Sequence, residues 1–303
     1  MKRKLTGLLS SIAVLGLTLI LTACGSKPAA YQTDQKLGPQ LNYTITGIDA
    51  SAGEMDNATQ ALDKYGLKKA NWQLMPSSTA AMVSTLDKAV KYKQPIVVTA
   101  YQPHWMFSKY PLKWLKDPKN VFGKGEHEST VVRKGFKQDN PGAYQLLKNF
   151  SWDLQKDAEP VMMAINQGED PTAEAQKYLK EHPQKVKEVL KNVPDGKGKK
   201  LKLVYMPYDY EIAASNVVSQ LLKKKNYDVT LQQLDVEVMW QAIASDKADA
   251  TVTAELPSTH RAFAKKYQGQ YEIIRTNLKG ARIGLAVPKY MTDINSIEDL
   301  KNH

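Results

Sequence analysis

Two stretches of the chain share one pattern of apolar and polar positions. Ile96–His104 reads IVVTAYQPH and Thr251–His260 reads TVTAELPSTH. Each is a β-branched run that ends in Thr-Ala, followed by one large residue, a proline and a histidine. Val97, Val98 and Thr99 in one copy, and Thr251, Val252 and Thr253 in the other, predict a strand buried on both faces. Proline closes each run because it has no N–H to give to a ladder. Tyr101 and His104 lie at the end of the first run, Glu255 and His260 at the end of the second. An open α/β sheet binds its ligands at such strand ends, so the two tips are expected to face one another across a cleft.

The pattern leading into each tip is also repeated. Asn42–Asp49 alternates apolar and polar residues and predicts a strand, and Ala50–Glu54 is a small-residue turn. Ala58, Ala61, Leu62 and Tyr65 then fall at helical spacing, with Gly66 at the end. Trp72–Pro76 predicts a short strand. Ser77–Thr79 offers an N-cap for a helix with Met82, Leu86, Ala89 and Val90 on one face. In the second half, Lys202–Met206 and Tyr227–Leu234 predict strands, and Asp209 and Asp235 are candidate caps for the helices that follow. Two βαβαβ units with parallel sheets predict an α/β protein with two similar lobes. Between the units, Tyr110–Asp195 is polar and mostly helical in pattern, with a helix start at Pro171. Arg282–Pro288 predicts a further strand, and Ser296–Leu300 a capped helix start.

The first 23 residues differ from the rest. Lys2, Arg3 and Lys4 precede an apolar run from Leu8 to Leu21 that is shorter than the ~20 residues a membrane span needs. This is the layout of a secretory signal. Cys24 is the only cysteine, which excludes a disulfide within the chain. Leu21-Thr22-Ala23-Cys24 resembles the lipobox of bacterial lipoproteins, which implies acylation of Cys24 and two acyl chains for stable anchoring. The expected location is the extracellular face of a Gram-positive type of cell membrane. Residues 24–40 are expected to be a flexible tether.

The full chain carries a net charge of +11. Without the signal, 39 basic residues face 31 acidic ones, a net +8. No basic block has interleaved aromatics, so a solvated basic surface is expected rather than a nucleic-acid interface. Asp195–Lys200 (DGKGKK) lacks P-loop spacing and precedes a strand, so it is not a phosphate cradle. Ser258, His260 and Asp209 lack the G-x-S-x-G elbow of a hydrolase triad. His104, Glu255 and His260 lack the short paired spacing of a metal site. No enzyme activity, metal or cofactor is expected.

Six stretches taken together resemble one family: the glycine-betaine-type substrate-binding proteins of ABC importers, in the OpuA binding-protein branch. They are Gly47–Gly53 (GIDASAG), Pro103–Pro118, Tyr208–Val217 (YDYEIAASNV), Met239–Ala250, Leu256–His260 (LPSTH) and Gly284–Leu300. The resemblance implies a two-lobed, periplasmic-binding-protein-like fold of type II, with lobe order circularly permuted relative to other betaine receptors. Lobe A would comprise 41–107, completed by 289–303, and lobe B 112–285. Crossovers are expected near Phe107–Leu112 and Gly284–Lys289.

The resemblance further implies capture of a quaternary ammonium osmolyte for a permease and its ATPase. The alternative function is a membrane-tethered sensor of another cationic molecule, with no permease. In the family the trimethylammonium head sits among aromatic faces, which attract a cation by their quadrupole. Backbone N–H groups at a helix start and a histidine hold the carboxylate tail. Mapped onto this chain, the rings become Tyr101, Tyr208 and, at the third position, Glu255. The histidine is His260, and the N–H donors fall at Gly53 and Glu54.

Glu255 and Glu54 each place a carboxylate where the family has none. Glu255 would pair directly with the cation and repel an acidic tail, which favours choline, carnitine or another cationic osmolyte over glycine betaine. Alternatively, Glu255 pairs with Lys265 or Arg261, and His260 caps the helix after it. Tyr205 or Tyr210 is a substitute for Tyr208, and His104 is expected to be structural.

Overall fold

The computed structural model describes residues 29–302. The signal and the lipobox with Cys24 lie outside the described residues. Strands β1 (Thr44–Thr46), β2 (Gln73–Met75) and β3 (Val98–Gln102) alternate with the helices Gly53–Lys64 and Thr79–Tyr92. They pair in parallel in the order β2-β1-β3. After β4 (Leu112–Trp114) and β5 (Glu126–Arg133), the second unit repeats the first. Strands β6 (Lys200–Tyr205), β7 (Asp228–Gln233) and β8 (Ala250–Leu256) alternate with the helices Asp209–Lys223 and Val236–Ala244. Their parallel order, β7-β6-β8, has the same 2-1-3 arrangement. The expected α/β fold with two lobes is therefore present, and the predicted strands and helices lie within a few residues of their expected places.

One strand serves both lobes. β9 runs unbroken from Tyr271 to Pro288. Its first part, Tyr271–Ala281, pairs antiparallel with β5, which in turn pairs antiparallel with β8. Its second part, Arg282–Ala286, pairs antiparallel with β3, and β4 adds to its end. The partner changes between Ala281 and Arg282, two residues before the expected crossover at Gly284. The other crossover also differs from expectation. Leu112, Leu115 and Phe122 pack in the first core, whereas Val131 and Val132 belong to the second lobe. The chain thus passes over between Phe122 and Glu126 instead of near Phe107–Leu112, because β4 finds its hydrogen-bond partner on the first-lobe part of β9.

Local chemistry accounts for most element boundaries. The Ser78 hydroxyl accepts from the Ala81 N–H at 3.1 Å and starts its helix. Asp170 caps the helix Pro171–Glu181 through the Ala173 N–H at 2.8 Å. Asp209 is not the cap expected of it. Tyr208 occupies the cap position, and Asp209 is the first helical residue. Its acid still complements the helix dipole there. Asp235 stands at the cap position of its helix but makes no capping hydrogen bond. β5 is absent from the expectation for 110–195, since Glu126, His127 and Glu128 give that strand no apolar signature.

The tether is shorter than expected. The Tyr31 N–H donates to the Lys93 carbonyl at 2.7 Å, and its hydroxyl donates to Asp293 at 2.7 Å. Leu37 is fully buried in the first core. Residues from Tyr31 onward are therefore part of the lobe, because apolar burial and these bonds offset the entropy of ordering them.

Leu86, on the helix Thr79–Tyr92, has no exposed surface. Leu86→Ala is expected to lower unfolding stability by about 2–5 kcal/mol through lost burial and a residual cavity. Urea unfolding followed by circular dichroism measures this; a loss below 1 kcal/mol would contradict the packing described.

Candidate functional site

The 2-1-3 strand order places a switch point at the carboxyl end of each parallel unit, between β1 and β3 and between β6 and β8. These ends meet between the lobes. A cleft of about 1130 Å³ lies there, lined by Tyr101, His104, Trp105, Tyr208 and Asp209 among others. Next to it is an inner chamber lined from the first lobe by Gly53, Glu54 and Tyr101. Tyr208, Glu255 and His260 line it from the second. All six residues singled out from the sequence thus lie around one hollow. The Tyr101 and Tyr208 rings are 6.0 Å apart between centroids, tilted by 58°. They come from opposite lobes, one at the end of β3 and one at the start of the helix after β6.

Each side chain is held by its neighbours. Tyr101 packs edge-on against His104 at 4.7 Å, and His104 Nδ1 accepts from the Met106 N–H at 3.0 Å. His104 is therefore a buried support behind the ring, as expected. Tyr210 is buried and stands 3.4 Å from Asn277 through its hydroxyl, and neither it nor Tyr205 lines the chamber. His260 Nδ1 accepts from the backbone N–H of Glu255 at 3.1 Å, which orients the imidazole. Nε2 lies 4.0 Å from the Glu255 carboxylate. His260 does not cap the helix Arg261–Lys266 with its side chain. Glu255 makes no ion pair with Lys265 or Arg261; among the described residues His260 is its one basic neighbour within 4.0 Å.

Gly53 opens the helix Gly53–Lys64, so the N–H groups of Gly53 and Glu54 have no intrahelical acceptor. The lobes meet closely at this point. A Cβ on Gly53 would stand 2.8 Å from both the carbonyl oxygen and a methyl carbon of Thr259. No side chain larger than hydrogen fits without a shift.

Electrostatically the chamber is bordered by buried acids. Burial raises the Glu54 carboxyl to about 8, with the Glu255 charge adding and the Thr99 hydroxyl opposing. Glu255 is also raised to about 8, by burial first and the Glu126 charge second. Its side chain retains 21% exposure, so it is the carboxyl that still meets the chamber. Burial lowers His260 to about 3, which leaves a neutral imidazole at neutral pH. Tyr208 and Tyr101 are raised by burial and by nearby acids, so both stay phenols.

The sequence reading missed the residues behind this wall. Glu128 lies directly opposite Glu255 in the β5–β8 ladder. Glu211, on the helix after β6, accepts from the Met206 N–H at 2.7 Å. Both are buried and pushed well above the usual carboxylate range by burial, with the Glu255 charge adding. Only the β-branched run Thr130–Val132 hinted at β5, and nothing local tied Glu211 to Glu255.

The sequence matches the family described as the substrate binding domain of ABC-type glycine betaine transport system over residues 26–181 and 199–303. It is 51% identical over 294 residues to the glycine betaine/carnitine transport binding protein GbuC of Listeria monocytogenes, covering 97% of this chain and 98% of that one. Lactococcal OpuAC in its closed form with glycine betaine is 42% identical. That match covers 54% of this chain and 63% of that one, with a TM-score of 0.48. The glycine betaine/L-proline-binding protein ProX of Borrelia burgdorferi is 30% identical, over 51% and 58% of the two chains, at a TM-score of 0.45.

The buried acids make stability pH-dependent. Glu54 and Glu255 stay protonated up to about 8 in the folded chain, whereas unfolded glutamates ionise near ~4.3. Above that value the folded state binds more protons, so these groups lose their stabilising effect as pH rises towards 8. His104 and His260, lowered to about 3, act oppositely, but only below the ~6.5 at which an unfolded histidine ionises. The melting temperature is therefore expected to fall from pH 6.5 to 8.5, and to fall less in Glu54→Gln. Differential scanning calorimetry checks this; a rise over that interval would refute the burial assigned to the acids.

Proposed function

The chain belongs to the family of substrate-binding domains of ABC-type glycine betaine transport systems. On that premise we propose that it captures a small quaternary ammonium osmolyte in the chamber between its lobes and delivers it to a membrane permease. The observation that carries this reading is the pairing of Tyr101 and Tyr208 from opposite lobes over a chamber that also contains Glu255. Phenol faces and a carboxylate both favour a weakly hydrated cation, and an enclosed, low-dielectric hollow strengthens both attractions. The 51% identical relative is named for glycine betaine and carnitine, which supports the same ligand class.

The assigned roles follow from the chemistry at each position. Tyr101 and Tyr208 supply ring faces, and Glu255 supplies a formal charge in place of a third ring. The free N–H groups at Gly53 and Glu54 suit a polar or anionic tail. His260, neutral and with Nδ1 accepting from the Glu255 N–H, carries its proton on Nε2 and offers that N–H as one further polar contact. Because the cage draws on both lobes, the ligand favours their apposition, and the closed form is the one a permease reads. Anchoring at the outer face of the membrane through acylated Cys24 is part of the same proposal. It is supported by the Lys2–Lys4 cluster, the apolar run and the Leu21–Cys24 pattern. No helix among the described residues is long and apolar enough to cross a membrane.

A melting screen over glycine betaine, carnitine, choline and proline betaine tests the ligand class. At a concentration ~100 times Kd, a ligand adds about 2.7 kcal/mol to stability. A clear upward shift is expected with at least one of them, and Tyr101→Ala is expected to remove it. No shift with any would exclude the reading. Gly53→Ala tests the closed form: overpacking by ~1–3 kcal/mol corresponds to binding weakened about 5- to 150-fold. Calorimetric titration is expected to show this loss with an unchanged circular dichroism spectrum.

A further inference from the structure

The chamber wall and the layer behind it together contain more acid than one monovalent cation can neutralise. Glu255 on β8 faces Glu128 and Glu126 on β5, Glu211 on the helix after β6, and Glu54 across the lobe boundary. Tyr101 and Tyr208 stand close enough for the charge on Glu255 to act on them. Among the described residues no lysine or arginine forms an ion pair with any of these five glutamates. The one basic neighbour is His260, which burial keeps neutral.

The hydrogen bonding of these groups is uneven. Glu126 is satisfied: its carboxylate accepts from the Ser258 N–H at 3.1 Å. By contrast, both oxygens of Glu54, one of Glu128 and one of Glu211 are buried without a partner. So is the Tyr101 hydroxyl, on a residue only 9% exposed that lines the chamber. A buried carboxylate without partner or counter-ion is costly, and several close together cannot all ionise. The wall therefore stores protons when no cation is near. Glu54, Glu128 and Glu211 have at most 3% exposure. Glu54 and Glu255 both line the chamber, and Glu255, at 21%, is the more exposed of the two and the one from which a proton can leave.

We propose that the chamber takes up its cation in exchange for a proton on Glu255. The inference rests on the reading that the chamber binds a quaternary ammonium ion. Glu255 enters as a carboxylic acid. Its O–H bond breaks, the proton passes to buffer, and the carboxylate that remains pairs with the incoming cation. The total charge of the chamber is conserved, so the surrounding acids need not change state. Capture becomes stronger as pH rises towards the point where Glu255 ionises unaided, and levels off above it. The charge on Glu126, on the neighbouring strand β5, raises that point, and Glu126 is a positioning residue.

Calorimetric titration of the mature chain with choline chloride tests this. At pH 7 the binding enthalpy is expected to differ between phosphate and Tris by about one proton's worth of buffer ionisation. Affinity is expected to rise about tenfold per pH unit from 6 towards 8 and to flatten beyond. Glu255→Gln is expected to abolish both dependences. Glu126→Gln is expected to keep them and move the plateau to lower pH, a shift that a packing defect alone would not produce. Choline binding with equal enthalpy in the two buffers and flat affinity from pH 6 to 8 would overturn the exchange and leave the ligand class standing. If neither choline nor glycine betaine binds between pH 6 and 9, the ligand class fails and the exchange fails with it.

Discussion

A single hydrogen-bonded strand sets the geometry of this protein. β9 belongs to both sheets, first as the partner of β5 and then of β3. Because it is continuous, the two βαβαβ units cannot be placed independently. Their parallel strands end at the same cleft, and their helix N-termini open onto it. The fit between lobes is tight enough that Gly53 has no room for a methyl group against Thr259.

The same geometry explains the electrostatics. β5 and β8 form the second-lobe wall, and their register sets Glu128 beside Glu255. The helix after β6 is buried along nearly its whole length, which forces Glu211 inward. From the first lobe, the helix Gly53–Lys64 begins with Glu54 in its first turn. Acids on four separate elements thus converge in a buried region. Individually each would be a dipole-favoured or cross-strand residue of small consequence. Together, with neutral His260 as their basic neighbour, they form a reserve of negative charge that a cation can draw out.

Membership of a transport family and an acidic chamber fit together once ligand hydration is considered. A quaternary ammonium ion is weakly hydrated and forms no hydrogen bonds of its own, so recognition depends on π faces and on formal charge. This chain brings two phenol rings and a carboxyl to one chamber. The cleft outside adds Trp105 and Asp209 to the approach.

Much of this was legible in the sequence, because the signals are local. The alternation of β-branched runs with 3.6-period faces identified both βαβαβ units, and Ser78 and Asp170 marked helix starts through bonds within three residues. The six expected site residues fell at strand ends and helix starts, and the fold brought them to one hollow. What escaped was non-local. β5 carries acids on a buried strand, so its apolar pattern is broken. β4 lies with the first lobe only because β9 receives it there. Tyr31 is tied to the first lobe because Asp293, more than 250 residues away in sequence, accepts its hydroxyl. The protonation of Glu255 depends on its burial and on Glu126, brought near it by strand pairing. Sequence by itself determined the elements and the kinds of side chain at their ends, since backbone propensity and periodicity act over a few residues. Only the tertiary structure decided how those side chains are charged, since desolvation and Coulomb interaction depend on distance through space.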